Sequence, residues 1–234
     1  PEGSILNTTF PHPVNARAKT TNNINQVLFG ALWPAFGEHA QAGAGSIWPF
    51  SVSGVDDDGE RFSVHVLPHG GRGAMRDMDG LVPIAFPHNS SVTPVEIWES
   101  QCPVMILNKE LLADTAGAGR SRGGPGQVMT FKNVGDRTVN ARVRPDKVTC
   151  PPRGIDGGHD GKLGEVIYNG ETLHEYPILA FQPGDVIELR MPGGAGFGRP
   201  ENRAPERIEN DVADGIVTNR GAREEYGYER GSAQ

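Results

Sequence analysis

The chain has 234 residues, with 22 Lys and Arg against 29 Asp and Glu, for a formal charge of −7. That balance, with no run of basic residues, is wrong for a polyanionic partner such as nucleic acid. Glycine (32) and proline (19) make up about a fifth of the chain, against a usual total of about 12%, which excludes helix bundles and coiled coils because both residues weaken helix interiors.

Residues 1–15 read as an extended lead-in, since Pro11 and Pro13 fix φ and resist helix. A helix is expected next. Ile24, Val27, Leu28, Ala31 and Leu32 share one face, Thr20, Thr21 and Asn22 offer capping oxygens, and Pro34 is expected to stop it. Residues 37–45 read as a flexible glycine loop. Phe62, Val64 and Val66 alternate with polar neighbours, the period of a half-buried strand, and Asp58-Gly59 supplies a hairpin turn to a partner within Ser46–Val55. Further strands are expected at Val92–Glu99, Val104–Leu112, Gln127–Asn133, Thr138–Val143, Glu165–Tyr168 and Val186–Met191. Pro183-Gly184-Asp185 suits a type II turn. Near the C-terminus, Pro205 opens a helix with Ile208 and Val212 on one face, ended by Gly215. A second short helix runs from a Thr218 cap to Gly227. The expected class is α+β, predominantly β. Antiparallel sandwich- or barrel-like sheets lie over 46–200, between a lead-in and helix at 1–45 and a helical tail at 201–234.

Several motifs invite a chemical reading and fail it. Gly119-Arg120-Ser121-Arg122-Gly123 matches G-x-S-x-G, but Gly124-Pro125-Gly126 follows where the required helix should begin. Gly193-Gly194-Ala195-Gly196-Phe197-Gly198 follows a strand, yet Arg199 stands where G-x-G-x-x-G needs glycine. A tight backbone crossing is the better reading. His65 and His69 have helical zinc spacing, which on a strand spans about 13 Å, too far for one ion. Cys102 and Cys150 each precede proline and form no C-x-x-C, so they read as structural thiols. Two polar stretches remain, His69-Gly70-Gly71-Arg72-Gly73 running on to Asp79, and Pro87 to Ser91 with Asn89. Both sit beside strands and carry groups that orient oxygen atoms.

Read together, the segments resemble a known family. Gly3-Ser4-Ile5-Leu6-Asn7, Phe10-Pro11 and Val14-Asn15-Ala16-Arg17 open the match. Gly70-Gly71-Arg72-Gly73-Ala74, Asp79-Gly80 and Asn89 with Thr93-Pro94-Val95-Glu96-Ile97-Trp98-Glu99 continue it. The glycine–arginine segment 117–126, Pro183-Gly184-Asp185, 192–198 and the tail 211–227 complete it. In this order and spacing they resemble the C-terminal part of hydantoinase B/oxoprolinase subunits. Ser121 stands where the family commonly has an aromatic residue, and Met75-Arg76-Asp77-Met78 replaces a proline-rich version.

The resemblance implies a role in an ATP-dependent complex. An A-type subunit, which holds ATP and Mg, phosphorylates an amide or carbonyl oxygen of a small-molecule substrate. The activated compound is then hydrolysed, as for hydantoin, oxoproline or lactam rings, or carboxylated, as for ketones. The family's B subunit also holds a metal ion, in an N-terminal portion outside this chain, so no metal ligand is assigned here. On this reading the chain is a fragment of a longer subunit in a cytoplasmic hetero-oligomer, with no nucleic-acid or membrane partner. Substrate contact is expected from His69, Arg72, Asp79 and Asn89. His69 or Asp79 would move a proton or place water, and Arg72 and Asn89 would bind substrate oxygen. A ketone carboxylase subunit, or a non-catalytic module for A–B assembly, are the alternatives.

Overall fold

The computed structural model describes residues 1–12, 14, 17–84 and 92–229. Nine strands form two antiparallel sheets with a shared core, and no closed barrel is present among the described residues. The first sheet begins with the expected hairpin, β1 (Phe50–Val55) and β2 (Arg61–Val66), registered from Phe50 opposite Val66 to Val55 opposite Arg61. Gly59 takes φ +90° in its turn, and the Asp56 carboxylate accepts from the Glu60 amide at 2.8 Å. β5 (Val139–Val143) pairs with β1, and β8 (Leu179–Phe181) pairs with β5. The second sheet runs β3 (Val104–Leu112), β4 (Gly126–Asn133), β9 (Val186–Arg190), β6 (Glu165–Tyr168) and β7 (Glu171–Thr172). Gly184, at φ +87°, makes the turn into β9.

Alternation points Phe50 and Val52 from one sheet at Phe131, Ile187 and Leu189 from the other, all fully buried. Phe50, Phe131 and Trp98 form the aromatic centre, with Phe50 and Phe131 ring centroids 4.5 Å apart. Trp98 belongs to a short helix, α2 (Val95–Glu99), where alternation had pointed to a strand. Pro94, with φ −58° and ψ 143°, sets the chain for a first helical turn, and the Trp98 indole anchors that turn on the Val104 carbonyl at 3.0 Å.

The helix α1 (Arg17–Phe36) also departs from expectation. Pro34 lies inside it rather than ending it. So close to the C-terminal end, the ring forfeits a single bond, to the Gly30 carbonyl. The apolar face faces outward, with Val27 69% and Leu28 49% exposed, and the buried residue is Asn22. Trp33 packs on the buried cluster of Ala40, Ala42, Ala74, Ile155, Ala195 and Phe197, and polar contacts add to the hold: Asn23 Nδ2 donates to Asp146 at 2.7 Å, and the Lys19 ammonium donates to the Pro145 carbonyl.

The largest departure concerns the glycine segments. Residues 40–46 are almost wholly buried, not a flexible loop. They stack with 70–74, 117–124, 154–161 and 192–198 into a layer in which backbone meets backbone. Ala42 N donates to Ala74 O, Ala74 N to Ala195 O, and Ala195 N to Gly43 O, at 2.8–2.9 Å. Glycine is required because chains this close leave no volume for Cβ. A Cβ on Gly71 would lie 2.0 Å from the Gly124 carbonyl oxygen. The tight crossing expected at 193–198 is therefore present, and the amides of 194–198 all donate to protein carbonyls. None is left to cradle a phosphate.

Past the layer, α3 (Pro205–Ala213) and α4 (Asn219–Tyr226) pack through Ile208, Val217 and Ala222. The Thr218 hydroxyl caps α4 by accepting from Gly221 N at 3.0 Å, and Gly227 ends it at φ +63°.

Candidate functional site

A pocket of about 330 Å³ opens where the end of β2 meets β3 and β4. Its walls are largely apolar, with His65, His69, Thr93, Lys109, Glu110 and Gln127 supplying polar groups. His69 is 3% exposed, and Gln127 Nε2 donates to its backbone carbonyl at 2.8 Å. The Gln127 amide thus fixes the segment that presents the imidazole. A volume near 330 Å³ lies at the small end of ligand sites, about 300–1,000 Å³, and suits a small ring.

A bulge builds one wall. Ile106 pairs with Phe131, but Asn108 already pairs with Thr130, so Leu107 is the extra residue. Beyond it Lys109 stands opposite Met129 and Leu111 opposite Gln127. Directly opposed residues share a face, so Lys109 and Leu111 join Gln127 and Met129 on the pocket side. Strict alternation from Val104 and Ile106 would have put Asn108, not Lys109, on that face; Glu110 lines the pocket between Lys109 and Leu111. Lys109 was missed for that reason: one extra residue in a strand exchanges its two faces and leaves no mark in composition.

Of the expected site residues, the fold places three in three different surroundings. His69 lines the pocket. Arg72 turns the other way, giving Nε and Nη2 to Gln41 Oε1 at 3.0 and 2.9 Å, and burial lowers its pKa. Asp79 belongs to an ion network. Its two oxygens take Nη1 and Nη2 of Arg203 at 2.9 Å each, Arg207 Nη2 at 2.8 Å and the Arg122 amide at 2.7 Å. Burial pushes the Asp79 carboxyl up, but the bonds and charge of Arg203, with Arg122 and Arg207 behind it, leave it below its ordinary 3.8. A carboxylate held this way is a poor proton acceptor, and its evident work is to tie the 72–80 loop to α3 through Asp211, which bridges Arg122 and Arg203 at 2.9 and 2.6 Å. Asn89 lies outside the described residues.

The remaining motifs take structural positions. The Ser121 hydroxyl is fully buried and donates to the Arg76 carbonyl at 2.8 Å, so it is not presented as a nucleophile. Among the described residues no three His, Cys, Asp or Glu side chains converge where an ion would sit. No helix among them is long and apolar enough to cross a membrane.

Comparison with known proteins agrees with this architecture. The chain is 28% identical to caprolactamase subunit beta of Pseudomonas jessenii over 97% of its own length and 42% of that protein. It is 31% identical to an uncharacterized protein of Methanocaldococcus jannaschii over 97% of the chain and 40% of that protein. A chain in the crystal structure of ATP-dependent caprolactamase from Pseudomonas jessenii superposes with a TM-score of 0.81 at 27% identity, covering 100% of this chain and 43% of that one. The chain thus spans about two fifths of the length of these two curated relatives. Residues 1–200 match the model of the hydantoinase B/oxoprolinase family. The chain belongs to the hydantoinase B/oxoprolinase family.

Proposed function

We propose that this chain is the C-terminal region of a B-type subunit in a cytoplasmic, ATP-dependent hetero-oligomer that hydrolyses a cyclic amide, with the pocket at His69 forming part of the substrate cavity. The observation that carries the reading is the 330 Å³ pocket, which combines apolar walls with an imidazole and an ammonium group. Ring opening of an unactivated amide needs a more electrophilic carbon and a site for oxygen charge. The partner A-type subunit, with ATP and Mg, would supply the first by phosphorylating the amide oxygen; water then adds to the carbon, the ring C–N bond breaks as nitrogen takes a proton, and hydrolysis of the resulting acyl phosphate releases carboxylate and phosphate. Lys109 would hold developing negative charge at the oxygen, and His69 would move a proton between water and the ring nitrogen. Arg72, bonded to Gln41, does not line this pocket. Asp79 positions the 72–80 loop. The role expected of Asn89 in substrate binding is kept as part of the proposal.

In the reconstituted complex, His69→Gln and Lys109→Ala should each lower ATP-coupled ring opening at least about tenfold while assembly is retained. Lys109 is exposed, so its variant tests the site without risking the core. Wild-type turnover in both removes the pocket from the reaction. Turnover and ATP consumption should not depend on bicarbonate; strict dependence would move the chain to the ketone-carboxylase reading. The chain alone, assayed for phosphate release, should hydrolyse no ATP, and measurable release would contradict the division of labour between subunits.

A further inference from the structure

A second concavity, about 590 Å³, lies between α1 and residues 145–155 and shares no lining residue with the pocket at His69. Its charge is one-sided. Lys19, Lys147 and Arg153 line it against one acid, Asp146. That acid is already engaged: its Oδ2 accepts from Asn23 Nδ2 and Ser46 Oγ at 2.7 and 2.8 Å, and its Oδ1 from the Lys147 amide at 2.9 Å. Arg153 is paired on one side only, with Asp160 at 2.9 Å, and its side chain is 81% exposed. The Lys19 ammonium gives one of its three N–H groups to Pro145 O and keeps two. The cleft therefore has a surplus of positive charge and unused donors for an oxyanion.

Asn23 adds the opposite requirement. Its Oδ1 is buried at the cleft wall with no hydrogen-bond donor. Flipping the amide would set that oxygen against the Asp146 carboxylate, so the orientation is fixed by charge. A buried acceptor without a donor is unfavourable, and a bound group carrying N–H would satisfy it. Gln41, on the same wall, has its carbonyl committed to Arg72, so Arg72 positions this cleft rather than the pocket at His69.

We propose that this cleft binds a small carboxylate that also carries an N–H group. Opening of a cyclic amide generates molecules of that class, and to this extent the inference extends the function proposed above. Its grounds are the charges and the orphaned acceptor of the cleft itself, and its test needs no turnover, so failure of either reading leaves the other standing.

Cys150 lines the cleft and is exposed, whereas Cys102 is buried, with its thiol pushed up to about 11, mainly by burial. Alkylation by iodoacetamide, read by mass spectrometry at Cys150, therefore reports on access to the cleft. In the full polypeptide, N-carbamoylglycine should slow that reaction saturably, by roughly fivefold or more, and hydantoin, which lacks the carboxylate, should not. The double variant Lys19→Gln/Lys147→Gln should alkylate at the unprotected rate with or without N-carbamoylglycine. Absence of protection by N-carbamoylglycine overturns the proposal, as does protection that survives in the double variant. Equal protection by inorganic phosphate also overturns it, because that outcome needs only an oxyanion and assigns no partner to Asn23.

Discussion

Replacing Arg203 by alanine is expected to cost about 3–5 kcal/mol of folding stability, read as a shift in the midpoint of urea unfolding. The guanidinium is fully buried, meets Asp79 along two parallel bonds and Asp211 at 2.6 Å, and gives a further bond to the Arg120 carbonyl. It also lies over the Tyr226 ring, 5.9 Å from its centroid. Removal leaves two carboxylates in a site shielded from water, with only Arg122 and Arg207 to face them. Arg203→Lys keeps the charge but loses the fork, and should fall between the two. The pH dependence separates an electrostatic loss from a packing loss. The folded Asp79 carboxyl has a lowered pKa, so its contribution is complete above the unfolded value of about 3.9 and is lost as pH falls through the folded one. The gap between wild type and Arg203→Ala should therefore narrow below about pH 4. An unchanged midpoint would show that the network does not hold α3 to the 72–80 loop, and a gap of constant size through acid that Arg203 holds it by packing rather than charge.

That network also marks where sequence reasoning stops. The longer strands of both sheets were legible because each shows its period over four or more residues between glycine or proline turns, and β3, β6 and the β1–β2 hairpin lie where those signals put them. The capped helix α4 was legible because Thr218 and Gly227 mark its two ends in the chain itself. Strands β7 and β8 are two and three residues long, too short for any period to appear. Asp79 and Arg203 are 124 residues apart, and nothing near either names the other. His69 and Arg72 looked like one site because three positions separate them, but on extended backbone they face different ways, one to the pocket and one to Gln41. The expectation of a flexible loop over 37–45 fails at 40–45 for a related reason. Hydrophobic periodicity registers side chains meeting side chains, and this segment is buried by backbone meeting backbone, where small residues are the packing rather than a gap in it.

The sharpest test of that layer is Gly123→Ala, which should destabilise the protein by at least about 3 kcal/mol, a large share of a typical total of about 5–15 kcal/mol. Gly123 is not in the left-handed region, so alanine is conformationally acceptable there and the penalty is purely steric. Its Cβ would fall 1.9 Å from the Gly194 carbonyl oxygen and 2.4 Å from the carbonyl carbon, backbone atoms that no rotamer change can move. Relief requires the strands to part, which breaks Gly194 N to Gly124 O and Gly124 N to Arg72 O, bonds of 2.8 and 2.7 Å. Gly30→Ala is the matched control. It sits in α1 with nothing within 4 Å of the added carbon, and the same change there should stabilise by about 0.5–1 kcal/mol through helix propensity. Equal midpoints for the two variants would mean that the layer yields as easily as solvent does. The expected inequality has a functional side. The backbone of 69–74 is held on both flanks by this layer, through Gly71 N to Pro192 O and Gly45 N to Gly71 O. His69 reaches the pocket from one end of that segment, and Arg72 reaches Gln41 from the other. Parting the layer therefore moves both cavities at once, and Gly123→Ala, if it can be folded at low temperature, should lose ring opening and Cys150 protection together, whereas Lys109→Ala loses only the first.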